Sequence, residues 1–135
     1  MVLVTVLIHL LGLGVLVRLL KSQHRIWPAL RAPPITLLLA ASLGLFAIHT
    51  IEIWLYAGLY LALHAAADFE SALYFSTVTY ASIGYGDVLV AKSWRILGAI
   101  EGATGVIMLG WSTAFLVSAL SQLKLFGHDW LASRD

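Results

Sequence analysis

The sequence predicts an all-α membrane protein assembled as a homotetramer around a re-entrant loop. Three observations lead there. The chain of 135 residues is 61% hydrophobic and only 11% charged, whereas a soluble domain carries about a quarter of its residues charged. Three stretches stay apolar over a length near or above the ~18 residues that cross a bilayer. The segment richest in hydroxyls and glycine, FSTVTYASIGYGDV from Phe75 to Val88, lies between the second and third stretches. A formal net charge of +1 gives no argument for nucleic acid. The absence of cysteine excludes a disulfide, a catalytic thiolate and a Cys-ligated zinc.

The first span, residues 1–20, has only Thr5 and His9 as polar interruptions before Arg18. A secretory signal starts with basic residues and ends in a small-residue cleavage site. Neither is present, so the segment is expected to be a retained helix on the periphery of the molecule. Residues 21–33 form a basic connector. Pro28, Pro33 and Pro34 forbid a continuous helix there, and Trp27 suits the water–lipid boundary. The second span, residues 34–64, is longer than the ~20 residues a crossing needs, so it tilts or protrudes. Asp68 offers an N-cap to a short helix over 69–81, too short to span. Residues 82–87 follow as an extended loop, then the third span at 93–123 and a short polar tail at 124–135. Residues 34–123 read as one unit.

Lys/Arg asymmetry sets the orientation. Arg18, Lys21, Arg25 and Arg31 cluster at the connector and Lys124 and Arg134 lie in the tail, whereas only Lys92 and Arg95 sit between the second and third spans. Three crossings then put the N-terminus outside, the C-terminus in the cytoplasm and the 82–87 segment on the outer side of a cell inner membrane, surrounded by membrane lipid.

Irregular backbone at membrane depth survives only where protein buries it or water lines it. The region 69–88 therefore fits a re-entrant hairpin: a short helix dips in from outside and a strand climbs back. The carboxyl end of that helix points its partial negative charge at the membrane centre, where a cation is stabilised. Gly84 and Gly86 can adopt conformations closed to other residues, which lets successive carbonyls face one side. Ile83 and Tyr85 are then expected to pack behind the strand. One strand makes a ladder of oxygens; four around an axis enclose an ion.

Ser82-Ile83-Gly84-Tyr85-Gly86-Asp87 resembles the selectivity-filter signature of the potassium channel pore-domain family, usually Thr-Val-Gly-Tyr-Gly-Asp. Phe75-Ser76-Thr77-Val78-Thr79 resembles its pore helix, and Glu101 to Leu116 resembles the inner helix of its bacterial two-transmembrane-helix members. The chain departs from them by one extra N-terminal helix, by Ser82 and Ile83, and by Tyr80-Ala81 at the end of the short helix. The resemblance implies potassium as the permeant ion, held by the carbonyls of Ser82, Ile83, Gly84 and Tyr85. It also implies a Ser82 hydroxyl at the innermost ring, support from Thr79, Gly86 and Asp87, and a flexible inner helix near Gly105. It implies passive transport by a homotetramer without organic cofactor or enzymatic activity. A non-selective monovalent cation channel of the same architecture is the alternative.

Thr104, Met108, Ser112, Phe115 and Ala119 recur at three- and four-residue steps in the third span. With Gly105 they are candidates for a cavity or gate below the ion sites, Phe115 as a dewetting constriction. His49, Glu52 and Glu101 are ionisable groups at membrane depth, which usually face protein, water or one another. Read as a cluster, they sit behind the ion sites, where protonation alters conduction. The preferred reading is that they fix helix contacts through hydrogen bonds. A membrane enzyme or metal-handling protein built on them is a third reading. Zinc wants three or four ligands, and the sequence offers no obvious third to a His49–Glu52 pair. His9 and His64 have no partner visible in the sequence. No span carries the repeated arginines of a voltage sensor.

Overall fold

The computed structural model describes residues 1–26 and 33–122. Residues 27–32 of the basic connector and the tail at 124–135 lie outside them. Four α-helices follow in order: α1 (Val2–Ile26), α2 (Pro34–Ala62), α3 (Phe69–Tyr80) and, after a 3-10 turn at Lys92–Trp94, α4 (Arg95–Gln122). Within them, Val2–Ser22, Ile35–Ala62 and Lys92–Ser121 are long and apolar enough to cross a membrane. The chain is an all-α membrane protein.

Local chemistry sets the helix limits. α1 continues to Ile26, beyond the boundary expected at residue 20, because Lys, Gln and Arg are good helix formers and the prolines come later. α2 starts with Pro34 at its first position, behind Pro33 at φ −58° and ψ 148°; the ring's preset φ suits a helix start and its missing N–H has no partner to lose. The helix closes with His64 in the left-handed region at φ 52°. His64 N–H then donates to the Leu61 carbonyl at 3.0 Å and Ala65 N–H to the Tyr60 carbonyl at 2.8 Å, a Schellman closure. α3 is capped by Asp68, whose Oδ1 accepts from Ser71 N–H at 2.8 Å. That bond holds the Asp68 carboxyl below its ordinary pKa.

α3 is wedged between α2 and α4, and α1 packs on α2 and α4. The core under the re-entrant region contains Tyr56, Ala57, Tyr60, Ala65, Ala72, Phe75 and Val90. Tyr60 and Phe75 meet edge-on at 5.3 Å, a favoured aromatic geometry. Leu3, Phe46 and Ile96 are 70%, 74% and 76% exposed. In water such side chains would be a liability; on membrane spans they are the lipid face.

α1 is more than the peripheral helix the sequence suggested. Its polar residues Thr5 and His9 are 1% and 0% exposed. Lipid offers a polar side chain no partner, so the helix turns that face inward and leaves Leu3, Leu7 and Leu11 outside.

Candidate functional site

Ala81 caps α3, and the chain then turns into the 82–87 segment. Ser82 N–H donates to the Thr79 carbonyl at 2.9 Å, Ile83 N–H to the Val78 carbonyl at 2.8 Å and Gly84 N–H to the same oxygen at 3.1 Å. The first three donors of the segment are thus spent on the end of α3. Positive φ angles recur at every second residue: Ser82 at 57°, Gly84 at 58° and Gly86 at 78°. Glycine occupies this region without steric cost; for Ser82 it is an unusual conformation. Among the described residues, no hydrogen bond ends on the carbonyls of Ser82, Ile83, Gly84 or Tyr85. All four residues are exposed. Ile83 and Tyr85, expected to pack behind the strand, are 51% and 71% exposed among the described residues.

At the far end, Tyr74 Oη–H donates to Asp87 Oδ2 at 2.7 Å, and Val88 N–H donates to Oδ1 at 3.0 Å. The Tyr74 hydroxyl is the main reason the Asp87 carboxyl lies below its ordinary pKa. Sequence reading named Asp87 and missed Tyr74, which reaches it from α3. Ala91 N–H donates to the Ala65 carbonyl at 3.0 Å and ties the returning chain to the α2–α3 loop.

The buried carboxylates of the spans gather two separate groups of partners. Glu101 lies on α4, fully buried. It accepts from Tyr60 Oη–H on α2 at 2.5 Å and from Ser76 Oγ–H on α3 at 2.5 Å. Glu52, also fully buried, faces His9 Nδ1 of α1 at 3.1 Å and His49 Nδ1 at 3.2 Å, and accepts from the Tyr80 hydroxyl. Ser112 Oγ of α4 lies 2.9 Å from His49 Nε2 and 3.4 Å from His9 Nε2. His49, Glu52 and Glu101 are therefore not one cluster. His49 and Glu52 belong together, and Glu101 has its own partners. His9, for which the sequence showed no partner, completes the first group. An ionisable residue in the middle of an apolar span was the available signal. Side chains reach this arrangement because α3 ends beside α4: a Cβ on Gly105 would stand 2.1 Å from the Tyr80 carbonyl oxygen. Gly105 is where the two backbones meet, a close approach rather than the flexible point expected there.

The stripe expected to line a cavity is mostly turned inward. Thr104, Met108 and Ser112 are 4%, 1% and 6% exposed, because Ser112 follows its imidazole partners and Met108 fills the space between the helices. Phe115 is half-buried. The Thr79 carbonyl accepts from Ser82, the contact through which this residue touches the segment.

A family model described as an ion channel matches residues 43–122. The match takes in most of α2, all of α3, the 82–87 segment and all of α4, and leaves α1 outside. No curated protein matches the chain, and no solved structure does.

Proposed function

The chain belongs to the ion channel family, and we propose that four copies form a potassium-selective pore in which the carbonyls of Ser82, Ile83, Gly84 and Tyr85 replace the water of a permeating ion. One observation carries this reading. The first three backbone donors of the segment are spent on the end of α3, while among the described residues those four carbonyls accept no hydrogen bond. Unpaired carbonyls at membrane depth need a cation or water, and rings of such oxygens are how potassium is stripped of its hydration shell. Alternating left-handed residues turn neighbouring peptide units so that their oxygens can share a side.

Assembly is supported by what a single chain leaves uncovered. Ile83 and Tyr85 are exposed beside an apolar groove of about 680 Å³ lined by Val78, Ser82, Leu89, Ala103 and Val106, among others. A second copy covers that groove and packs behind the segment. Asp87, tied to Tyr74, stands at the outer mouth, with the basic connector and tail on the cytoplasmic side of a cell inner membrane.

The Ser82 hydroxyl makes no hydrogen bond among the described residues, which favours, as a second reading, a less tightly held innermost ring that also passes sodium. Flux into liposomes with potassium or sodium separates the two: a reversal potential following potassium alone supports the first, and equal currents support the second. Gly84→Ala puts a Cβ on a residue at φ +58° and is expected to abolish flux in either case. Flux that survives Gly84→Ala unchanged would sink the carbonyl pore itself.

A further inference from the structure

We propose that His9, His49 and Glu52 form a binding site for a divalent transition-metal cation of the zinc class, inside each chain and behind the end of α3. The three residues each offer one ligand atom, and these atoms lie within 4.8 Å of one another. The separations of His9 Nδ1 and His49 Nδ1 from the carboxylate oxygens are 3.1 and 3.2 Å. With bonds of about 2.0–2.1 Å, ligand atoms of a tetrahedral zinc stand roughly 3.3 Å apart. Small rotations of the side chains would therefore bring all three onto one ion. Two imidazoles and one carboxylate suit zinc, copper, nickel or iron(II); magnesium and calcium want six or more oxygens.

The surroundings suit an ion. Both imidazoles turn Nε2 toward one hydroxyl, Ser112 Oγ, and Nδ1 toward the Glu52 carboxylate, with His49 Nδ1 also 3.0 Å from the Tyr80 hydroxyl. In the tautomer with both Nδ1–H groups donating to Glu52, the carboxylate is satisfied by hydrogen bonds alone. In the tautomer with hydrogen on Nε2, both Nδ1 lone pairs face the Glu52 oxygens and are placed to ligate a cation between them. The distal nitrogen of a metal-bound histidine usually donates to an oxygen acceptor that fixes tautomer and ring plane, and Ser112 Oγ offers one here. Tyr80 donates to Glu52 and orients the carboxylate in the same way. Among the described residues, no Lys or Arg pairs with Glu52 to balance a buried charge. The His9 and Glu52 side chains are 0% exposed and that of His49 is 13%, so the site is shielded yet has one open edge. A bound ion would pin α1 to α2 next to Tyr80, the last residue of α3.

Cobalt(II) titration of the purified full chain in detergent, with any affinity tag removed, tests the site, because four-coordinate cobalt absorbs far more strongly in the visible than six-coordinate cobalt. The expected result is one cobalt per chain with the four-coordinate spectrum, displaced by zinc. His9→Ala and Glu52→Gln should weaken binding more than tenfold. Ser112→Ala, which touches no metal and disturbs the fold least, should weaken it about tenfold, while His64→Ala leaves it unchanged. Wild-type protein giving only the six-coordinate spectrum would overturn the proposal, as would binding that His64→Ala removes or that Ser112→Ala and His9→Ala both leave intact. The spectrum does not depend on ion flux, so its failure is separate from failure of the pore reading.

Discussion

Glu52 and Glu101 are both fully buried carboxylates at membrane depth, yet they are solved in opposite ways. Glu101 is met by two hydroxyls, from Tyr60 and Ser76. Each oxygen receives one donor and the three residues close a knot between α2, α3 and α4. Glu52 is met by two imidazoles and one phenol, and its circle extends through Ser112 to all four helices. Hydroxyls can only donate to a carboxylate or leave it bare. Imidazoles can also turn a lone pair toward it, so the group around Glu52 has room for a cation where the group around Glu101 has none. The difference lies in partner chemistry, since burial is the same.

The largest effect is expected from Gly105→Val, which strikes the Glu52 side by displacing Tyr80. Its Cβ would sit 2.1 Å from a backbone oxygen that cannot step aside, and overpacking of this kind costs about 1–3 kcal/mol or more. Thermal unfolding in detergent should show a markedly lower midpoint; a wild-type midpoint would mean α3 and α4 are less close than they stand here.

Next comes the direct comparison of Glu101→Leu and Glu52→Leu. Removing Glu101 leaves the buried Tyr60 hydroxyl without an acceptor, at about 1–3 kcal/mol, whereas Ser76 keeps the Ile53 carbonyl at 2.9 Å; zinc should not restore the loss. Zinc at about a hundred times its dissociation constant should add ~2.7 kcal/mol to wild type and to Glu101→Leu, and nothing to Glu52→Leu. The same zinc response in both variants would erase the distinction between the two groups.

The smallest effect belongs at Asp87. The Asp87 carboxyl lies below its ordinary pKa because Tyr74 donates to it. A depressed carboxylate contributes order above its unfolded pKa and loses it as pH falls through the folded value. Tyr74→Phe removes the donor, so the acid-side decline of ion flux should move to higher pH while flux near neutrality stays close to wild type. An unmoved acid limb would detach Asp87 from conduction.

How much was legible depended on how local the cause was. Asp68 as the cap of α3, Pro34 at the start of α2 and the left-handed glycines at 84 and 86 could be read from the chain, because each is decided within a few residues. His9 could not be matched to Glu52, 43 positions away. The Thr104–Met108–Ser112 stripe had the right period for a helix face, but period says nothing about which neighbour that face meets. Gly105 looked like a flexible point because glycine has the same letter whether it bends a helix or admits another backbone.

The sequence by itself determined a three-span, all-α membrane chain and the signature at residues 82–87. Hydrophobic length and backbone stereochemistry act over short distances and leave few alternatives. Only the tertiary structure decided that α1 is wired to the end of α3, that Glu52 and Glu101 keep separate company, and that two histidines share one serine. In apolar helices every face is oily, so the partner of a buried polar group is chosen by how the helices pack.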